Sequence, residues 1–223
     1  MTRTALKSRV LPSYTKGEEI FNSVSHIVGG VIGLVTLVLS IIKAVGENDV
    51  VALACGIVFG ISMICLYTIS SLYHALPHGT AKKVFQVLDH CTIYLLIAGT
   101  YTPILLCALI RIKPVAAWIT FGVVWGLAIL SIVLNAIDLK KYKMFSMIGY
   151  IGIGWAIIFS IKSVSIALGS VGFWLLLGGG IFYTIGTIFY KIGANKKYFH
   201  AIFHVFVLIG SICHSLSVLL FAL

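Results

Sequence analysis

Sixty per cent of the 223 residues are apolar and only 10% are charged, with a mean hydropathy of +1.11. Soluble domains carry about 25% charged residues, so water cannot cover this surface and lipid must; nor is there room for a separate soluble domain beside the apolar runs. The net charge of +10 sits in short basic clusters between those runs, which fits membrane topology and speaks against nucleic acid as a partner.

In chain order, a short basic segment, residues 1–19, precedes the first apolar run and is expected in the cytoplasm, with residues 20–223 forming the membrane domain. The first run is long and has no clear small-residue cleavage site, so it is expected to be a retained span. Seven stretches hold no Asp, Glu, Lys or Arg: 20–42, 50–81, 90–110, 114–137, 144–161, 163–190 and 198–223. Alone or with apolar neighbours, each can cross roughly 30 Å at 1.5 Å per residue. The third is expected to begin earlier, near Val84, with only Asp89 interrupting it. The fifth and sixth are expected to part at Lys162 and the soft sequence Ser163 to Gly172.

Lys and Arg set the orientation. With the N-terminus inside and seven crossings, Arg3, Lys7, Arg9, Lys16, Lys82, Lys83, Lys140, Lys141, Lys143, Lys191, Lys196 and Lys197 fall on the inner side. Only Lys43, Arg111, Lys113 and Lys162 fall on the outer side. This twelve-to-four division follows the positive-inside rule and would be spoiled by six crossings. The sequence therefore predicts an all-α fold, a seven-transmembrane helix bundle with the N-terminus cytoplasmic and the C-terminus outside. The five cysteines lie in apolar runs without a C-x-x-C pair and are expected to be reduced. The 22 glycines lie mostly inside spans and are expected to let helices approach closely. Pro103 is expected to kink the third span, with the hydroxyls of Thr100 and Thr102 available to the freed carbonyls.

Ionisable groups inside a bilayer are costly, so each is a functional candidate. His200 and His204 stand at i and i+4 on one helix face. His74 lies in the last turns of the second span, and Asp89 lies early in the third. Because odd spans run outward and even spans inward, all four reach a similar depth in the cytoplasmic leaflet. Three imidazoles with an open fourth position suit zinc, although other divalent metals accept the same donors. Asp89 is placed to bond a metal-activated water, and Ser70, one turn before His74, to bond that water or orient the histidine. Glu19, Asn22 and His26 share one face of the first span and are expected to support the site by fixing the loop lysines or a ligand histidine, or else to form a solvated helix entrance. His78 is expected in a loop, His214 within the bundle, and His90 is directed away from the site.

The motifs E-I-F-N-S-V-S-H (19–26), S-S-L-Y-H (70–74) followed by Asp89, and H-A-I-F-H (200–204) resemble those of the hemolysin III-like bacterial membrane proteins. These belong to the progestin and adipoQ receptor superfamily, which includes the adiponectin receptors. A-G-T-Y-T-P (98–103) and G-G-I-F-Y-T-I-G (179–186) look like the bacterial branch, and the resemblance covers essentially the whole chain. It implies seven helices with the N-terminus inside the bacterial plasma membrane. It also implies zinc on His74, His200 and His204, with Asp89 beside the metal-bound water and Ser70 nearby. The superfamily's relation to alkaline ceramidases implies a zinc-dependent hydrolase acting on a membrane lipid amide or ester. A non-catalytic membrane sensor with structural zinc and a pore-forming hemolysin-like protein are the competing readings. No span shows the charged stripe that would line a water-filled pore.

Overall fold

The computed structural model describes residue 4, residues 6–193 and residues 196–223; Arg3, counted above among the inner basic residues, lies outside them. The only regular elements among the described residues are helices; there are no strands. The helices are α1 (Lys16–Gly46), α2 (Val50–Ala75), α3 (Thr80–Pro103), α4 (Pro114–Asp138), α5 (Lys143–Gly154), α6 (Ile161–Gly193) and α7 (Phe199–Ser217). Among the described residues, six helical stretches are long and apolar enough to cross a membrane, the fifth being the 51-residue run Lys143–Gly193.

The pattern on these helices is inverted relative to a soluble protein. The buried stripe of α1 is Glu18, Asn22, His26, Gly29, Gly33, Thr36, Ser40 and Ala44, spaced at helical periodicity. Its exposed face is Val24, Val28, Val31, Val35 and Leu39. Polar and small groups inside with branched apolar groups outside is the arrangement that lipid stabilises and water does not. The same holds for α4, whose buried residues include Ser131, Asn135 and Asp138 while Ile119, Val123, Leu130 and Val133 face outward.

Glycine sets how closely helices meet where the site is built. A Cβ on Gly29 of α1 would stand 2.3 Å from the Tyr67 ring of α2, so only glycine admits that ring. Tyr67, held there, donates its hydroxyl to Ser211 Oγ on α7 at 2.6 Å and sets its edge against His26. One glycine thus fixes the relation of α1, α2 and α7.

The fifth apolar stretch does not run straight. Fifty-one helical residues would extend about 75 Å, yet Trp155 Nε1 donates to Thr184 Oγ1 at 3.0 Å. The fold-back lies at Gly169, whose φ of 65° interrupts α6 in the left-handed region that glycine enters without strain. The reversal thus falls within the soft sequence Ser163 to Gly172 where the division was expected, while Lys162 itself is helical. The reversal also explains the placement of α7. Lys43 near the end of α1 donates to the Leu219 carbonyl at 2.9 Å, just past the end of α7, so these two helices run in the same direction. A single unbroken leg between α4 and α7 would have put the start of α7 at the other end of the bundle.

Pro103 acts differently from expectation. It cannot donate to Gly99, and the chain passes from α3 into a wide π-turn, Ile104–Ala108, then a 3-10 turn, Leu109–Arg111. The neighbouring hydroxyls bond Leu96 O (from Thr100) and Ala98 O (from Thr102), each at 2.8 Å. Neither bond is to the Gly99 carbonyl, the one that proline frees. The five cysteines are unpaired thiols, as expected.

Candidate metal centre

The starts of α1, α3 and α7 and the end of α2 meet at one end of the bundle. His74, His200 and His204 are all buried there, and each offers one ligand atom within 4.8 Å of the other two. His200 and His204 come from successive turns of α7, and their Nε2 atoms stand 3.1 Å apart. His74 approaches from α2, its ring 4.9 Å from that of His204 and 5.3 Å from that of His200. Three histidines from two helices thus lie close enough to hold one metal ion.

The support for His74 can be followed atom by atom. Glu19 Oε2 lies 2.6 Å from His74 Nδ1, and Asn22 Nδ2 lies 3.5 Å from the same nitrogen. An ionised carboxylate only accepts, so Nδ1 carries the ring proton and Nε2 is left as a bare lone pair. That Nε2 is buried and has no hydrogen-bond partner among the described residues. A buried acceptor without a partner is costly unless something occupies its lone pair. A cation on the three nitrogens meets that requirement, and a histidine with Nδ1–H on a carboxylate and Nε2 toward a metal is the usual arrangement. The residues therefore fit a divalent metal by their donor chemistry.

Glu19 is itself held by Lys82. The Lys82 ammonium, 1% exposed, lies 2.8 Å from Glu19 Oε1 and donates to the carbonyls of His74 and Leu76 at 3.3 and 2.9 Å. Lys82 therefore ties the carboxylate to the end of the helix that carries His74. Glu18, one residue before Glu19, closes a capping box with Thr15 and accepts from the Tyr198 backbone N–H at 2.6 Å. That bond fixes the entry of α1 against the residue preceding α7.

Of the residues expected from sequence, Glu19 and Asn22 reach His74. His26 stacks on His204 with ring centroids 3.7 Å apart; it lies outside the three-nitrogen set and backs it. Ser70 is buried one turn before His74. Asp89 is not among the clustered ligand atoms. Its carboxylate keeps 18% of its surface and lies 3.9 Å from His90 Nδ1, within electrostatic reach of Tyr14, Tyr73 and Tyr190. Those three rings adjoin the ligand histidines. Tyr14 stacks on His200 at 4.9 Å, Tyr73 lies 4.7 Å from His74 and Tyr190 lies 5.8 Å from His200. His90 faces Tyr190 Oη at 3.1 Å. His78 is in the exposed turn before α3, and His214 lies 3.1 Å from the Leu176 carbonyl inside the bundle.

Sequence reasoning missed Tyr14, and it foresaw Lys82 only as one of the loop lysines that the first span could fix. Lys82 reads as an ordinary inner-loop lysine, although its place seven residues before Asp89 is a usable signal. Tyr14 precedes the first apolar run. Burial, then the nearby Tyr190, Glu19 and Asp89, push its hydroxyl well above the ordinary tyrosine range, so it stays protonated and can donate.

The chain is similar in sequence to a family profile and to several known proteins. The profile of the family described as "Haemolysin-III related" matches residues 14–215. "Hemolysin-3" of Bacillus cereus is 39% identical over 206 residues, covering 92% of each chain. "Hemolysin-3 homolog" of Bacillus subtilis (strain 168) is 38% identical over 198 residues, covering 89% of this chain and 91% of that one. "Monocyte to macrophage differentiation factor" of Homo sapiens is 25% identical over 162 residues, 70% of this chain and 66% of that one. With its apolar helices and these bacterial relatives, the chain is a multi-pass bacterial membrane protein, and it belongs to the haemolysin-III-related family.

Proposed function

We propose that the protein is a zinc-dependent hydrolase acting on a membrane-lipid amide or ester, and so contributes to membrane-lipid homeostasis. The observation that carries this reading is the bare, buried Nε2 of His74 facing the imidazoles of His200 and His204. These three residues would hold the zinc, and three protein ligands leave one position for chemistry. When bound there, zinc supplies Lewis-acid chemistry, lowering the pKa of water and polarising a carbonyl.

The chain's own groups have separate tasks in this scheme. Glu19, anchored by Lys82, holds His74 in the correct tautomer and orientation. Asn22 and His26 back the ligand set from α1. Asp89 accepts the proton of the attacking water and returns it to the leaving group. Ser70 positions the reacting oxygen from one turn below His74. A site at the end of the helices favours a substrate entering from the adjacent leaflet.

The topology belongs to the same proposal. The two legs on either side of Gly169 would cross the membrane separately, giving seven crossings with the N-terminus cytoplasmic and the C-terminus outside. This agrees with the distribution of basic residues and with the parallel course of α1 and α7.

A second reading, a membrane sensor with structural zinc, draws on the Tyr14 ring packed on His200, which covers part of the site. Purified protein incubated with bacterial lipid extract separates the two. The hydrolase releases fatty acid or lipid base, and Asp89→Asn lowers that release by about 10²–10⁴-fold while keeping its metal. Release from the wild type no greater than from Asp89→Asn would sink the hydrolase.

A further inference from the structure

At the end of the bundle away from the histidines, a recess of about 370 Å³ opens between the start of α2, the turns after α3 and the start of α4. Its walls include Leu106, Cys107, Ile110 and Trp118, and it carries one acid and one base, Asp49 and Arg111. Its origin is legible in the chain. Pro103 breaks the α-helical ladder, and the π-turn and 3-10 turn that follow carry Leu106, Ile110 and Arg111 into place.

The two charges are unusual because they do not serve each other. Ion pairs among the described residues involve only Glu19 and Asp89, so Asp49 and Arg111 face one recess without meeting. Asp49 caps α2 through Oδ1, which accepts from the Ala52 N–H at 2.8 Å. Its second oxygen is left without a partner among the described residues. The side chain of Arg111, an exposed residue, makes no hydrogen bond or ion pair among them. A guanidinium offers a planar fork of donors suited to a phosphate. A free carboxylate oxygen suits an ammonium. Apolar walls beside both, with the exposed Trp118 indole at the helix end, suit an acyl chain at the membrane boundary.

We propose that this recess is a binding site for a zwitterionic aminophospholipid of the phosphatidylethanolamine class. The phosphate sits on Arg111, the ammonium on the free oxygen of Asp49, and an acyl chain lies along Leu106, Ile110 and Trp118. Asp49 is the selective element. It repels a purely anionic headgroup, so the site prefers the zwitterion even though the chain as a whole is strongly basic, a charge that by itself would favour anionic lipid. The assignment is independent of any chemistry at the histidines.

Detergent-purified full-length protein, given equal amounts of dioleoyl phosphatidylethanolamine and dioleoyl phosphatidylglycerol, tests it by native mass spectrometry. The wild type is expected to retain one phosphatidylethanolamine per chain in preference to phosphatidylglycerol. Arg111→Gln, a change at an exposed residue, is expected to weaken retention of both lipids about tenfold, the worth of a charge-assisted hydrogen bond. Asp49→Asn keeps an N-cap and is expected to lose the preference between the two lipids. As a measurement free of folding effects, phosphatidylethanolamine with brominated acyl chains is expected to quench wild-type tryptophan fluorescence more than that of Trp118→Phe. Equal retention of the two lipids by the wild type, or an Arg111→Gln variant that binds like the wild type, would overturn the proposal.

Discussion

Glu19 Oε2 stands 2.6 Å from His74 Nδ1, joining two residues 55 positions apart on neighbouring helices. That contact turns a buried histidine into a directed lone pair. Glu19→Gln keeps an acceptor but loses its charge, and is expected to weaken zinc binding about tenfold. Glu19→Ala frees the ring and is expected to weaken it by up to about 100-fold. Competition with a fluorescent chelator in detergent measures both. Unchanged zinc affinity in Glu19→Ala would show that the carboxylate does not orient the ligand.

Removal of a ligand has a different signature. Elemental mass spectrometry is expected to find about one zinc per wild-type chain, from the three-histidine donor set, and little in His204→Ala. His26→Ala, which removes a ring stacked on His204 without removing a ligand, is expected to keep the metal at reduced affinity. Equal metal loss in His26→Ala and His204→Ala would make His26 a ligand in its own right.

Lys82 tests the coupling behind the site. It is almost fully buried, and Glu19 keeps 17% of its side-chain surface. Lys82→Met therefore strands a partly buried carboxylate, and the loss is expected toward the low end of the roughly 3–5 kcal/mol that breaking a buried pair costs. The double variant Lys82→Met with Glu19→Gln is expected to lose less than the sum of the two singles, by about 1 kcal/mol. Thermal unfolding of all four proteins in one detergent decides it, and strict additivity would refute the relay.

His200 and His204 were legible because helical periodicity alone puts i and i+4 on one face. Their meeting with His74 was legible because alternating spans equalise depth. That Glu19 could support a ligand histidine was legible from the face it shares with Asn22 and His26; which histidine it meets was not, because the rotation of α1 against α2 is set by the Tyr67 ring entering over Gly29, a packing detail that hydropathy does not carry. Lys82 was hidden by the rule that located it. A lysine counted as inner charge is assumed to be hydrated, whereas its stem lets the ammonium reach a buried carboxylate. The turn at Gly169 lies inside the expected soft sequence Ser163 to Gly172, but its exact residue was not legible, because charge marks membrane boundaries only on average while a positive φ marks the reversal itself.

Gly29 offers a paired test of that packing. A methyl group there meets the Tyr67 ring well inside van der Waals contact, so Gly29→Ala is expected to cost about 1–3 kcal/mol and to lower zinc affinity through the shifted α1. Gly122 on α4 has nothing within 4 Å of a built Cβ. Gly122→Ala is expected to be neutral or stabilising by up to about 1 kcal/mol. Similar losses in both variants would mean that helix propensity, rather than the close approach at Tyr67, governs these glycines.

The fold-back at Gly169 can be located relative to the membrane. Ser170 is exposed beside the reversal, and Lys140 lies in the exposed turn between α4 and α5, near the end where the Thr4 N–H reaches Asp138 at 2.7 Å. In a background without the five native cysteines, Ser170→Cys is expected to react with a membrane-impermeant maleimide in intact cells. Lys140→Cys is expected to react only after permeabilisation. This follows from two full crossings between the turn after α4 and the start of α7, since about 24 helical residues on each leg span roughly 36 Å. If Ser170→Cys is also protected until permeabilisation, the two legs form a re-entrant hairpin that never reaches the outer face, and the proposed seven crossings reduce to five.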